Sequence, residues 1–405
     1  MRIYRIALKL FIALLPKMRR NELIRYAQAG NTFSEVQPAY DFEIIRPNQA
    51  LAAKRFSKSF GVRKVDRFFG LLLNDVRLIG PYGIPVTRKG VFVLEPISER
   101  WFQHALFTTI SELGFWGFAR EYLYAIFPKL DKSAQFIDVG SHLICRGAQW
   151  PGGPIFGHWI AEQLPMLRGI EAVCKLHKIE TKFITNRNTT SWQNESIELM
   201  GYDKSKLFNM PDKGIRVNKL ILASLRNVHS RGMEVDPIAR KWAASRLQNG
   251  IEKRLQLNQY KQKKVNKKIC FFRQDQVSRR IRNIDHVIEF AKKKGYQNVR
   301  IGTNHSLDFI AIPFYFSTNL LTCFGSGIVN IMFMKKPKKL IEIYSTNQDS
   351  REVFFLMASE FGMEYKCVPA GDVPSSAIMK VDSDSIAYQK PEEWIVSIDD
   401  LEDAS

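Results

Sequence analysis

From about residue 265 onward, short apolar runs alternate with longer amphipathic stretches. "KKICFF", "NVRI", "LLTCF", "KKLIEIY" and "EYKCV" read as strands; "IDHVIEFAKKKG", "SLDFIAIPFYF", "GIVNIMFMKK" and "REVFFLMASEFG" lie between them and read as helices. Strands separated by helices of about ten residues predict βαβ units and a parallel sheet. Asn283 is placed to cap the helix that starts at Ile284, and Gly295 to close it. A looser alternation fills the middle: "QFIDV", a helix after Gly157, "TKFIT", "SWQNESIELMG", "VNKLILA" and "DPIARKWAASRLQ". Residues 61 to 125 read as mixed, with short strands at "DVRLIG" and "GVFVLE".

The pattern divides the chain into a basic N-terminal segment (1–60), an N-terminal αβ domain (61–250), a basic linker (251–268), a C-terminal Rossmann-like domain (269–370) and a tail (371–405). The fold class expected is α/β, two αβα domains facing each other across a cleft. In such sheets ligands lie at the carboxyl ends of the strands. Two features sit there. "RQDQVSRRIRN" follows the strand "KKICFF" and carries Arg273, Arg279, Arg280 and Arg282, whose guanidinium groups suit a diphosphate. Gly325, Ser326 and Gly327 follow "LLTCF" and lead into a helix whose free N–H groups favour an anion.

Composition adds a sign to this picture. The 405 residues hold 60 Lys and Arg against 40 Asp and Glu, a net charge of +20, which attracts phosphates on sugar nucleotides, nucleic acids or membranes alike. No nucleic-acid recognition motif accompanies the charge, so nucleic acid is not an expected partner. The five cysteines are scattered and include no CxxC pair, which points to a reducing compartment; the sequons at Asn188, Asn194 and Asn304 point weakly the other way. "MRIYRIALKLFIALLPKMRR" has six basic residues and no acidic one, and its apolar run, Leu10 to Leu15, is too short to span a bilayer. A basic amphipathic helix on an anionic membrane and an ordinary packed first helix are both open readings. "DSD" at Asp382 to Asp384 has the form of a divalent-metal site, but its place in a polar tail favours a surface turn.

One stretch, "GGPIFGHWIAEQLPML" (152–167), is more polar and irregular than a core helix needs. His158 and Glu162 are four apart, so on a helix they share a face, and an imidazole steered by a carboxylate can serve as a base. Sugar binding by His158 and capping of the helix by the pair remain alternatives. Trp159 reads as core.

"FGHWIAEQLPML", "CFFRQDQVSRRIRNIDHVIEFAKKKG" and "CFGSGIVNIMFMKKPKKLIEIY" resemble, in order and spacing, the signature blocks of glycosyltransferase family 61. The resemblance implies a GT-B fold and inverting transfer of a sugar from a nucleotide donor, commonly without a bound metal or other cofactor. It further implies that the C-terminal domain holds the nucleotide. On that basis Arg273, Arg279, Arg280 and Asn283 would hold the donor diphosphate and shape its loop. Gly325, Ser326, Gly327 and Asn330 match the glycine-rich block. Glu342 matches its following acid, with ribose binding and a sheet-end ion pair as equal alternatives.

Two positions depart from the family: Phe324 stands where it usually has His, and His286 where it often has an acid. The resemblance implies a bacterial surface-polysaccharide enzyme acting on a glycan or lipid-linked acceptor. The expected location is the cytoplasm, peripheral on the inner membrane. The rival reading is a non-catalytic protein of the same fold that binds a glycan or sugar nucleotide.

Overall fold

The structure is a computed structural model describing residues 14–30, 32–95, 99–132, 136–145, 155–224, 235–256, 266–272, 278–300, 306–345, 352–372 and 392–405. Arg273, the Asp382–Asp384 triplet and most of the N-terminal helix candidate lie outside these residues, as does the side chain of Arg279.

The chain is mixed α/β. Its first sheet is built from β1 (Lys17–Met18), β2 (Phe33–Gln37), β5 (Phe68–Ile79), β6 (Ile84–Thr87), β7 (Phe92–Val93), β8 (Phe136–His142), β9 (Lys182–Thr185), β10 (Leu207–Asn209) and β11 (Ile215–Ala223). The order is β1-β7-β6-β5-β11-β8-β9-β10, with β2 also paired to β5. The part β11-β8-β9-β10 is parallel. The part around β5 is antiparallel, so this sheet is only half of the wound type expected. A small hairpin joins β3 (Tyr40–Ile44) to β4 (Gly61–Val65).

The second sheet comprises β12 (Lys268–Phe271), β13 (Ser278–Ile281), β14 (Gln297–Val299), β15 (Asn319–Cys323), β16 (Lys339–Ser345), β17 (Glu364–Asp372) and β18 (Glu392–Val396). Its five parallel strands run β14-β12-β15-β16-β17. Counted in chain order from β12, with β13 set aside, this is 2-1-3-4-5, the doubly wound order whose switch point falls between β12 and β15. These strands are nearly continuous apolar runs because helices cover both faces, as a parallel sheet requires. β18 pairs antiparallel with Ala370–Asp372, at the carboxyl end of β17, and β13 adds beside it.

The helix Pro237–Gln256 ties the two sheets together. Asp236 caps it, its Oδ1 accepting from the Ala239 N–H at 2.7 Å, and Pro237 takes the first helical position, where no N–H is needed. Gln248 Nε2 donates to the carbonyls of Met332 and Met334, both at 3.0 Å. The helix continues to Gln256, so the first residues of the expected linker are helix, and Arg254 among them pairs with Asp308 at 2.6 Å. One apolar core runs through both halves and includes Trp159, Leu247, Ile251 and Phe333.

The segment expected as an independent N-terminal piece clasps the second sheet. Gln49 donates to the Cys367 carbonyl at 3.1 Å and accepts from its N–H at 2.7 Å, as a neighbouring strand would. Phe56 stacks on Phe355 with centroids 4.8 Å apart.

β8 ends on a buried histidine. His142 Nε2 lies 3.1 Å from the Gly83 carbonyl and 3.3 Å from that of Tyr82, and burial lowers its pKa from 6.5 to about 4. Between those values the unfolded chain takes a proton that the folded chain refuses. Its contribution is therefore whole above pH 6.5 and is lost as pH falls towards 4, by about 3 kcal/mol. His142→Gln, whose amide can donate to the same carbonyls, is expected to flatten this acid limb in urea denaturation followed from pH 7 to 4.

Candidate active site

Pro165 shapes the first element of the site. A proline inside a helix has no N–H for the carbonyl four residues earlier, and its ring crowds that carbonyl. Here that carbonyl belongs to Ala161. The helical path Phe156–His177 accordingly widens into a π turn at Trp159–Gln163, where the Leu164 N–H reaches the Trp159 carbonyl. The Ala161 carbonyl is taken up by Arg240 Nε at 3.2 Å. Arg240 is buried and clasped through Nη1 by Glu360, whose Oε1 lies at 2.5 Å. Burial raises the Glu360 pKa and Arg240 works against the rise. The support therefore runs from the π turn through Arg240 to the helix Val353–Glu360 beside the second sheet.

At the entry to the π turn, His158 Nδ1 lies 2.6 Å from Glu162 Oε1, with side-chain exposures of 36% and 14%. An ionised carboxylate only accepts, so it holds the Nδ1 proton and leaves Nε2 as the basic nitrogen. Trp159 is fully buried and donates from Nε1 to Ser196 Oγ at 2.7 Å, the core role expected of it.

The glycine turn lies against this element. A Cβ placed on Gly157 would come within 3.0 Å of Ser326 Cβ, so the residue before His158 touches the middle of "GSG". Gly325 has φ 152° and ψ −177°, a region open essentially to glycine. The following helix, Ser326–Phe333, is 3-10 rather than the α-helix expected. Gly327 is required by packing: a Cβ there would meet Phe271 Cε1 at 2.5 Å. Gly327→Ala is expected to cost about 1–3 kcal/mol in urea denaturation, and Phe271→Leu in the same chain to recover part of it. Because β12 and β15 are parallel neighbours, the chain leaves β12 after Phe271 at the edge where β15 hands over to this turn.

The remaining sequence candidates are placed as follows. Arg279 and Arg280 belong to β13 rather than to a loop, and Arg280 is exposed. Asn283 stands at the N-cap of Ile284–Lys293 without a side-chain cap bond; its amide donates to the Val396 carbonyl at 2.8 Å and accepts from the Val396 N–H at 3.1 Å. Asn330 Nδ2 donates back to Gly327 O at 2.9 Å, bracing the turn from beneath.

Glu342 sits inside the second sheet, fully buried. It accepts from the Tyr365 hydroxyl, and Arg55 Nη1 lies 3.9 Å away, stacked 3.4 Å from the Tyr344 ring centroid. Of its two expected roles, this geometry is the ion pair, supplied by the N-terminal clasp. Burial raises its pKa and Arg55 opposes that. Phe324 is buried edge-on against Phe354, centroids 5.0 Å apart. His286 is exposed on its helix.

Sequence reasoning missed Arg240 and Glu360. The signal available was Pro165: a proline within a helical pattern announces a carbonyl at Ala161 in need of a donor. The partner, 79 residues away, could come only from the fold.

No curated protein matches the chain. The family model of Glycosyltransferase 61 matches residues 156–341, from the start of the His158 element through the helix Pro237–Gln256 and the glycine turn to Ile341 in β16. Over that segment the chain is similar to the Glycosyltransferase 61 family, a likeness that suggests glycosyltransferase activity.

Proposed function

We propose that the protein is an inverting glycosyltransferase that moves a sugar from a nucleotide sugar to a hydroxyl of a glycan or glycolipid, in surface-polysaccharide synthesis, with a GT-B-like arrangement of its halves. The observation that carries this reading is the contact of Gly157 with Ser326. It puts an imidazole–carboxylate pair beside a glycine turn at the switch point of a doubly wound sheet. The donor diphosphate rests on the Gly325–Gly327 turn, assisted by Arg273. His158 Nε2 takes the acceptor proton as its oxygen bonds to the anomeric carbon. The bond from that carbon to the diphosphate breaks, and the nucleotide leaves with the electron pair.

In this reading no metal or other cofactor is needed, and the basic segment 1–20 holds the protein on an anionic membrane from the cytoplasmic side. Among the described residues no helix is long and apolar enough to cross a membrane. Assay of UDP, GDP and CMP sugars against glycan and lipid-linked acceptors, with and without chelator, is expected to give chelator-resistant transfer from one donor class. The burial of Phe324, where the family usually has His, favours a second reading: a binding protein without turnover. Saturable donor binding with no transfer or hydrolysis across the panel would establish it.

A further inference from the structure

The helix Glu99–Ile126 packs Phe102, Leu106, Phe118 and Ala125 into a cluster on the first sheet. Gly114 breaks it with φ 69° and ψ 162°, a bend that glycine permits. Beyond the bend the outer face is apolar. Trp116 is 82% exposed, and Phe115, Leu123, Phe127 and Leu130 are exposed with it. Trp116, Arg120, Leu123 and Phe127 follow one another at steps of four, three and four, so they form a single stripe.

Charges on this element are sorted by sign. Glu121 and Asp131 turn onto buried Arg77, at 2.6 and 2.5 Å, and Glu112 pairs with Arg187 at 2.9 Å. Arg120 reaches Glu121 Oε1 at 3.8 Å but stays exposed, as do Lys129 and Lys132. The outer face therefore joins an indole and other large apolar side chains to a cationic border. That combination suits the interface of an anionic bilayer, where aromatic rings sit at headgroup depth and each nearby cation adds attraction.

We propose that the outer face of residues 115–132 is a docking surface for an anionic lipid bilayer. It is distinct from the basic segment at the start of the chain, whose residues 1–13 lie outside the described residues; Leu15 packs on the same cluster. Docking here brings the protein to a lipid-borne acceptor without contributing to the sugar-transfer site.

Full-length protein is sedimented with vesicles of phosphatidylcholine alone or containing phosphatidylglycerol, and its mass is followed by light scattering. Binding confined to the anionic vesicles is expected. Lys129→Gln with Lys132→Gln should weaken it about 25-fold, at about fivefold for each cation removed. Trp116→Ser with Phe127→Ser should weaken it by a similar factor while the circular dichroism stays unchanged. Transfer to a soluble acceptor should be equal in all these proteins, which separates failure of docking from failure of the enzymatic reading. Vesicle binding equal to wild type in both double variants overturns the proposal. So does loss of a wild-type dimer in the Trp116/Phe127 variant, which would assign the face to a second copy of the chain.

Discussion

His158→Ala is expected to lower the rate of sugar transfer by about 10²–10⁴-fold, the range for loss of a positioned general base. Donor affinity, measured by titration calorimetry, should stay within about twofold, because the diphosphate rests on the glycine turn rather than on the imidazole. Glu162→Gln should show a smaller loss. A glutamine can still accept the Nδ1 proton through its carbonyl but no longer stabilises the imidazolium formed as the acceptor proton is taken. A His158→Ala protein that transfers at the wild-type rate would remove this residue from the chemistry.

Arg240→Ala is expected to cost about 3–5 kcal/mol of stability, since it leaves the Glu360 carboxylate buried without its cation. Arg240→Lys gives a more selective readout. Lysine can keep the charge beside Glu360, but a single ammonium group lacks the planar fork that serves the Ala161 carbonyl and the carboxylate together. The π turn then loses its prop. Arg240→Lys should therefore fold, with a midpoint in urea close to wild type, while kcat falls and the KM for donor holds. Equal kcat in wild type and Arg240→Lys would reduce Arg240 to an ordinary buried ion pair.

Much of the second sheet was legible in the sequence because its strands are apolar on both faces and the helix Ile284–Lys293 between them is amphipathic. "KKICFF", "LLTCF", "KKLIEIY" and "EYKCV" all became β12, β15, β16 and β17. The middle strands "QFIDV", "TKFIT" and "VNKLILA" are β8, β9 and β11.

Residues 61 to 125 were less legible. "FFGLLLNDVRLI" is one strand of 12 residues, and "ERWFQHALFTTISELGFWGFAREYLYAI" is a bent helix of 28. Apolar residues on its buried cluster face and on its exposed face together erase the helical period.

The site divides in the same way. His158 and Glu162 pair as their spacing implied. The roles of Glu342 and Asn283 depended on partners far along the chain, Arg55 and Val396, which no local pattern reveals. Gly327 looked like a glycine needed for a ligand, and the structure adds a neighbour that needs it too, the ring of Phe271.

The central claim is that the His158 element and the Gly325–Gly327 turn form one transfer site. A crystal structure of the protein soaked with a nucleoside diphosphate tests it most directly. The phosphate oxygens are expected within about 3.2 Å of groups on the Gly325–Gly327 turn, with the terminal phosphate on the side facing His158. A diphosphate bound elsewhere, such as along the first sheet, with the glycine turn unvisited, would contradict the assignment.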